Sequence, residues 1–436
     1  MEVIRGYRYE LKLNNKERSY LRQCAGLSRF AWNWALAERH QRWRDHEGKE
    51  RFTNAIAQHR DLNARKAKDF PWMYSYSKCI PQEALRDLEQ GYQNYRREKK
   101  KRLTGKTQNK RRWGLPVFKK KGKCKDSFRL TGAIRVFPKT KEVQLPRMGR
   151  VRLKERPAIT GLSEGTGRIL SATVSRMADR WYVSLQVQET VPDPVPNGAP
   201  QIAGLDPGLA HFVTLSNGLQ LPAPKWLRRR LRKLRRLSRA VSRKPTGSHN
   251  RRKAVLQLAC FHQRLAQRRA DHHHKLSTWL TQNHGVLVTE DLHVAGLIKN
   301  KRLAKAWADL AHGEFRRQLR YKSEWYGAQY VEIPRFYPSS KLCSTCGFIH
   351  KDLQLKDRVF CCPLCGTQLD RDVNAALNME QYYGQRLYLQ PLSEGLVAES
   401  SAETVNAGGE PIRPPVAGHG SLKQEISLTE SSDMEV

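Results

Sequence analysis

The chain has 436 residues, with 80 lysines and arginines against 41 aspartates and glutamates, and its formal net charge is +39. This length excludes a single compact core, so roughly two to four domains are expected. Self-repulsion of so many positive charges would destabilise the folded chain unless a polyanion neutralised them, and nucleic acid can do so over a long path.

The sequence pattern also argues against a membrane or secreted protein. No apolar run approaches the length needed to span a bilayer, and the first five residues lack the apolar core of a secretory signal. Five of the nine cysteines follow no ligand spacing, which suits a reducing compartment; they are Cys24, Cys79, Cys124, Cys260 and Cys361. We therefore expect a soluble, intracellular protein without a membrane partner.

Residues 13–98 show helical periodicity. Two apolar stripes recur at helix spacing, the second opening at Pro81, and their members are Leu21, Leu27, Phe30, Trp32, Ala35, Leu85, Leu88, Tyr92 and Tyr95. Residues 96–125 are strongly basic, contain Glu98 as their single acid and are interrupted by glycines and a proline. We expect this stretch to be a mobile, solvated arm that a nucleic-acid backbone would order.

A period of two replaces the helical rhythm between residues 127 and 187, where Gly, Pro and Asp turns separate short apolar and polar alternations. This pattern predicts a small antiparallel barrel or sheet. Prolines at positions 192, 194, 196 and 200 then predict a stiff linker and a domain boundary before Ile202. Residues 202–206 and 212–218 predict two antiparallel strands joined by a turn through Pro207 and Gly208.

Residues 225–280 predict one or two long helices, with leucines on one face and arginines on the others. No acid occurs between Lys225 and Ala270. Solvated faces usually carry both signs, so we favour contact with phosphates over simple solvation. Residues 285–290 predict a buried strand that ends on Glu290. Beyond about residue 386 the composition predicts a disordered acidic tail, 386–436.

Two Cys-x-x-Cys pairs, Cys343 with Cys346 and Cys362 with Cys365, are separated by fifteen residues, and a glycine follows each pair. Four thiolates at this spacing can surround one structural Zn²⁺ tetrahedrally, whereas cysteines that merely pack need neither the paired gaps nor the glycines. Cys361 is a possible substitute ligand, but the two-residue gap favours Cys362.

Three carboxylates occupy the ends of predicted elements. Asp206 ends one apolar strand, Glu290 ends another, and Asp372 begins an alanine-rich helix. Such acids can converge at the carboxyl edge of a sheet, where two Mg²⁺ ions about 4 Å apart would support phosphodiester hydrolysis. Taken singly, Asp206 could merely cap its turn and Asp372 could merely cap the helix over residues 373–379.

These segments resemble the split RuvC-type nuclease domain of the TnpB family. Members of this family are transposon-encoded RNA-guided DNA nucleases related to compact type V CRISPR effectors. The resemblance is carried by residues 204–208 with 212–218, by 286–292, and by the zinc ribbon leading into 370–376. Residues 116–119, 126–130 and 337–341 are also similar to that family, so it extends along most of the chain.

The resemblance implies a multidomain α+β protein. Residues 1–12 and 117–195 would form a small antiparallel β-barrel wedge domain, and residues 13–116 a helical recognition domain with the basic arm. Residues 200–341 and 367–385 would form an RNase H-like (RuvC) α/β nuclease domain, into which residues 342–366 insert as a zinc ribbon that contacts target nucleic acid. Asp206, Glu290 and Asp372 would be the catalytic metal ligands, with Asp370 only a neighbour.

The resemblance also implies the partners, a guide RNA from the element's end and a double-stranded DNA target beside a short motif, bound by a monomer or a weak dimer on RNA. In such effectors base pairing reads the sequence while the protein reads shape and the motif. Ser77, Lys78 and Gln82 stand where the family places motif contacts, although Pro81 and Gln82 could simply start a helix. Further nucleic-acid contacts are expected from Lys119, Lys120, Lys121, Arg228, Arg229, Arg232, Arg235 and Arg236.

Four other functions stay open. A CRISPR type V nuclease would share the same site. An RNA-independent transposase or resolvase would ordinarily order its acids Asp, Asp, Glu, whereas here they run Asp, Glu, Asp. A non-cleaving RNA-guided repressor would be expected to have lost metal ligands. A plain zinc-ribbon nucleic-acid binder would leave the carboxylates at the strand ends without a role.

Overall fold

A computed structural model of the chain describes residues 2–45, 53–104, 114–195, 201–354 and 356–389. They divide into two compact units, one up to Pro192 and one from Asp193 onward. Each unit combines helices with sheets, which confirms the predicted multidomain α+β class. None of the described helices combines the length and the apolar character needed to cross a bilayer.

The helices of the first unit follow the two apolar stripes. They are α1 (Asn15–Asp45), α2 (Ala55–Asp69), a 3₁₀ helix (Pro71–Ser75), α3 (Cys79–Leu103) and the short α4 (Thr160–Ser163). A capping box starts α1, because the Asn14 side chain accepts from the Glu17 amide and Glu17 accepts from the Asn14 amide, both at 2.8 Å. Leu21 and Leu27 of α1 and Leu85 and Leu88 of α3 are buried in one core.

The expected mobile arm is wrong for residues 96–103, because α3 continues through them to Leu103. After the arm, the chain is attached to α1. The Trp32 indole donates to the Val117 carbonyl at 3.0 Å, and Asn33 exchanges two hydrogen bonds with the backbone of Lys119. The Lys119 ammonium lies 3.5 Å from the centre of the Trp32 ring. The stretch 105–113 lies outside the described residues.

The predicted antiparallel sheet between residues 127 and 187 is confirmed. The strands of this unit are β1 (Glu2–Glu10), β2 (Ser127–Leu130), β3 (Arg135–Phe137), β4 (Glu142–Leu145), β5 (Gly149–Arg152), β6 (Gly167–Met177) and β7 (Arg180–Thr190). One sheet has the order β1-β7-β6-β2 and the other β3-β4-β5, with all neighbours antiparallel. A bridge between Leu11 and Leu153 connects the chain after β1 to the chain after β5.

The second unit is built on a five-stranded mixed sheet. Its strands are β8 (Ile202–Asp206), β9 (His211–Leu215), β10 (Gln220–Pro222), β11 (Val286–Glu290) and β12 (Gln329–Ile333), and the ribbon adds β13 (Val359–Cys361) and β14 (Gln368–Asp370). The order is β10-β9-β8-β11-β12. The first three strands are antiparallel, whereas β8, β11 and β12 are parallel. This is the strand arrangement of an RNase H-like sheet.

Helices cover this sheet and extend from it. They are α5 (Trp226–Ser242), α6 (His249–Asn283), α7 (Val294–Leu297), α8 (Ala304–Leu310), α9 (His312–Tyr326) and α10 (Arg371–Leu389). The long basic stretch therefore forms two helices, and Phe212, Leu287 and Leu319 are buried in the core beneath them.

The predicted tail, 386–436, begins too early, because α10 continues through residues 386–389. Residues 390–436 lie outside the described residues.

Candidate active site and zinc ribbon

The strands β8 and β11 bring Asp206 and Glu290 to the same edge of the sheet. The two strands are parallel and paired, with Thr289 opposite Leu205, so each acid follows directly after the last paired position. The carboxyl ends of parallel strands meet at one edge, which is where ligands bind in such sheets. The sequence prediction that these two acids converge therefore agrees with the register.

Helix α10 brings the third acid, Asp372, to that edge. The helix crosses β8 so closely that a Cβ atom on Gly204 would lie 1.8 Å from the Ala376 carbonyl oxygen. Only glycine permits this approach. Because Gly204 is two residues before Asp206 and Ala376 is one helical turn after Asp372, the contact determines the separation of the two acids.

Asp370, and not Asp372, caps α10. One Asp370 carboxylate oxygen accepts from the amides of Asp372 and Val373 at 2.9 and 3.2 Å. The alternative that Asp372 merely caps the helix is therefore wrong; its carboxylate instead lies 3.7 Å from the Arg371 guanidinium.

The charges of Glu290 and Asp372 act on Asp206. Burial, and then the charges of Glu290 and Asp372, raise the pKa of Asp206 well above its ordinary value. Among the described residues, the four ribbon cysteines form the one group of three or more potential ligands whose donor atoms all lie within 4.8 Å. The three carboxylates do not meet this limit, so at least one pair of their oxygens lies more than 4.8 Å apart.

Glu290 is oriented by a residue that sequence reasoning did not assign. The buried Ser339 hydroxyl donates to Glu290 Oε1 at 2.7 Å, and Asn378 of α10 donates to the Ser339 carbonyl at 2.8 Å. The neighbouring Asp291 is engaged by Arg316 and Arg335, and the hydrogen bond from Arg335 lowers the pKa of Asp291 most. Two adjacent acids therefore have different surroundings, Glu290 with a neutral donor and Asp291 between two arginines.

The predicted zinc ligands form a compact cluster. The sulfur atoms of Cys343, Cys346, Cys362 and Cys365 all lie within 4.8 Å of one another. Gly347 and Gly366 adopt φ angles of 75° and 71°, which allow each knuckle to turn. The Thr367 hydroxyl lies 3.1 Å from the sulfur of Cys365. Four cysteine ligands in this arrangement suit one structural zinc, and Cys362, as predicted, takes part instead of Cys361.

Hydrogen bonds from α10 connect the ribbon to the acids. Asn374 accepts from the Ser344 amide at 3.1 Å and donates to the Leu342 carbonyl at 2.7 Å. Asn378, one turn later, also donates to Leu342. The sequence signal that could have revealed this contact is a pair of asparagines four residues apart on an otherwise alanine-rich helix, where buried amides need partners.

The predicted nucleic-acid contacts differ in exposure. Ser77 is buried just before α3, and its hydroxyl accepts from the Cys79 amide at 3.4 Å, whereas Lys78 is exposed and Gln82 half-buried. Lys119 is half-buried against Trp32, and Lys120 and Lys121 are exposed. The five predicted arginines of α5 are all exposed; they are Arg228, Arg229, Arg232, Arg235 and Arg236. The last three line a concavity of about 410 Å³ together with Arg239 and Arg243.

The order of the strands and the position of the acids place the second unit in the RNase H-like class, with a zinc ribbon inserted between β12 and α10. Three family models match the chain. They are described as "Helix-turn-helix domain" at residues 1–49, "Probable transposase" at 183–301 and "Cas12f1-like, TNB domain" at 312–379.

Full-length relatives identify the family. A Streptomyces pristinaespiralis protein described as "Putative RNA-guided DNA endonuclease" is 34% identical over 97% of this chain and 96% of its own length. The InsQ protein of Escherichia coli (strain K12), with the same description, is 29% identical over 87% of this chain and 92% of its own length. The chain belongs to the TnpB family of RNA-guided DNA endonucleases.

A solved structure supports the fold. The protein in a Cas12f1 complex with guide RNA and target DNA aligns with a TM-score of 0.50 at 13% identity, over 84% of this chain and 83% of that one.

Proposed function

We propose that this chain is a transposon-encoded RNA-guided endonuclease that cleaves double-stranded DNA beside a short motif, through one RuvC-type site formed by Asp206, Glu290 and Asp372. The observation that carries the proposal is the convergence of the three acids: Asp206 and Glu290 follow directly on paired parallel strands, and the contact of α10 with Gly204 brings Asp372 to the same sheet edge. Burial and the charges of the two other acids also raise the pKa of Asp206. A strained cluster of like charges destabilises a fold and is retained where function requires it. A plain zinc-ribbon binder would have no use for it.

The donor set fits magnesium. Carboxylate oxygens are hard ligands, and three of them at one edge can hold two Mg²⁺ ions, which would activate a water and stabilise the departing 3′-oxygen. Asp206 would bind the ions as its ionised carboxylate. Glu290 would be kept in one orientation by the Ser339 hydroxyl, and Asp372 would be held by the contact of α10 with Gly204. Hydrolysis would break the bond between phosphorus and the 3′-oxygen.

The nucleic-acid partners would be bound by the basic surfaces. The exposed arginines of α5 are suited to phosphates because guanidinium groups bind them in a bidentate manner. The proposed wedge (1–12 and 117–195), recognition (13–116) and nuclease (200–341 and 367–385) domains would hold guide RNA and target DNA, with Lys78 and Gln82 near the adjacent motif. We expect a monomer or a weak dimer on RNA, located in the prokaryotic cytoplasm and associated with the nucleoid.

The test begins with the RNA that copurifies with the full-length protein. Sequencing should find one discrete species, and DNA that matches its guide portion should be cut in Mg²⁺. Asp206→Asn, Glu290→Gln and Asp372→Asn should each lower cleavage by at least about 10³-fold while RNA binding stays unchanged. Asp370→Asn is the matched control, because asparagine keeps the capping oxygen, and it should cut within about tenfold of wild type.

The other outcomes separate the alternatives. Cleavage by protein freed of RNA would favour the transposase or resolvase. RNA-guided binding without cleavage would favour the repressor. Equal losses of binding and cleavage in the three acid variants would give these residues a structural role.

A further inference from the structure

Phe336 projects into solvent beside the acids. Its side chain is 93% exposed, more than any other large apolar side chain among the described residues. It lies in the turn between β12 and the zinc ribbon. Isolated exposed apolar residues are common on protein surfaces, so exposure by itself indicates no function. Phe336 differs from such residues because its turn is hydrogen-bonded to Glu290 and Asp291.

The turn is anchored on both sides of Phe336. Before it, Arg335 donates to the Asp291 carboxylate and, at 3.4 Å, to the Asp291 carbonyl. After it, the Ser339 hydroxyl donates to Glu290 at 2.7 Å. The two hydrogen-bond acceptors, Glu290 and Asp291, are therefore consecutive residues at the end of β11. Glu290 is one of the proposed metal ligands. Three residues of chain span at most about 10 Å, so the Cα atom of Phe336 lies within that distance of Ser339.

The residues next to Phe336 are packed, which fixes the direction of the turn. The Tyr337 amide donates to the Pro334 carbonyl at 3.0 Å, and the Ser339 amide donates to the Tyr337 carbonyl at 2.8 Å. The Tyr337 ring packs edge-on against Tyr382 of α10 at 5.0 Å between centroids. Phe336 is thus an exposed ring on a structured turn, so little entropy would be lost if a ligand covered it.

The surroundings favour a nucleic-acid base over a protein partner. Pro334 and Arg335 are exposed beside the ring, and Arg335 keeps 47% of its side chain accessible. A protein interface would need a wider apolar centre than one phenyl ring. Single-stranded nucleic acid needs what is present, an aromatic face for a base together with positive charge for the backbone.

We propose that Phe336 stacks against a base of the DNA strand that enters the carboxylate site, and so positions the neighbouring phosphate for cleavage. This inference rests on the proposed nuclease function. The ligand class is single-stranded DNA, with no sequence requirement at the stacked position, because every base offers an aromatic face.

Crosslinking tests the stacking directly. Guide-loaded protein is mixed with target DNA that carries 5-iododeoxyuridine at successive thymidine positions across the cut, with Ca²⁺ in place of Mg²⁺, and is irradiated at long wavelength. Peptide mapping should place the crosslink at Phe336. Phe336→Leu, which keeps apolar volume but has no aromatic face, should lose it, and Phe336→Trp should keep it.

Cleavage in Mg²⁺ provides the second measurement. Phe336→Leu and Phe336→Ala should cut about tenfold more slowly at low DNA concentration, the size of one lost base stack, while Phe336→Trp cuts like wild type. Leu219→Ala, at another exposed apolar position in the same unit, is the control and should have no effect. Wild-type rates in Phe336→Leu, or crosslinks only at other peptides, would overturn the inference. Failure of the nuclease proposal is distinguishable, because wild-type protein would then crosslink at Phe336 without cutting.

Discussion

Replacing Gly204 by alanine tests whether the approach of α10 to β8 sets the active-site geometry. The added Cβ would meet the Ala376 carbonyl oxygen at 1.8 Å and the Glu380 amide nitrogen at 3.0 Å. Both are backbone atoms, so no side chain can rotate away. The helix must instead retreat by more than about 1 Å, and displacements of that size at a catalytic group cost about 100-fold in rate.

Gly384→Ala is the matched control, because it makes the same change on the same helix. Nothing lies within 4 Å of a Cβ added there, so this variant should cut normally and gain up to about 1 kcal/mol from better helix propensity. Gly204→Ala should lose about 1–3 kcal/mol through overpacking but remain folded at 25 °C.

The assay is guided cleavage in saturating Mg²⁺, with melting temperature and bound RNA measured on the same preparations. A rate loss of about 100-fold, in protein that is folded and RNA-bound, is expected for Gly204→Ala. Cleavage at the wild-type rate would refute the argument that this contact separates Asp206 from Asp372.

Four further outcomes are expected. Asp206→Asn should abolish cleavage and raise the melting temperature by a few degrees. The raised pKa of Asp206 means that its ionised form destabilises the fold above pH about 4. A lower melting temperature would contradict this prediction. Ser339→Ala should raise the Mg²⁺ concentration needed for half-maximal cleavage, with Ser339→Thr restoring it and Ser340→Ala as the neighbouring control. Elemental analysis should find one zinc per chain, lost in Cys362→Ser but kept in Cys361→Ser. Burial lowers the pKa of His273 to about 3 and that of His312 to about 4, so both stay neutral when folded and take up protons on unfolding below pH about 6.5. Each of these histidines should therefore lower the free energy of unfolding by about 1.4 kcal/mol at pH 5.5, as measured by urea unfolding. A free energy of unfolding that does not change between pH 7.5 and 5.5 would contradict their buried positions.

Local patterns were enough to predict that the four cysteines cluster and that Asp206 and Glu290 end strands while Asp372 begins a helix. The cysteine spacing and the position of each acid at the end of an apolar or alanine-rich segment are properties of a few adjacent residues. The sequence patterns did not specify that β8 and β11 pair in parallel; the structure shows this pairing.

What sequence reasoning missed depends on contacts between distant segments. Gly204 meets Ala376 across more than a hundred residues of chain, and Ser339 meets Glu290 across 49. Neither contact leaves a periodic signal. In the basic stretch after residue 96, by contrast, a strong local signal led to a wrong prediction. Its charge density suggested a solvated arm, although its first eight residues continue α3.

Localised radical cleavage of the polypeptide tests most directly whether Asp206, Glu290 and Asp372 hold divalent cations together. Fe²⁺ replaces Mg²⁺ in zinc-loaded, full-length protein, and ascorbate with peroxide generates hydroxyl radicals at the bound iron. Backbone cuts are predicted close to all three residues, competed away by excess Mg²⁺ and lost together in Asp206→Asn. Cuts near only one acid, or cuts that survive Asp206→Asn unchanged, would contradict a shared cation site.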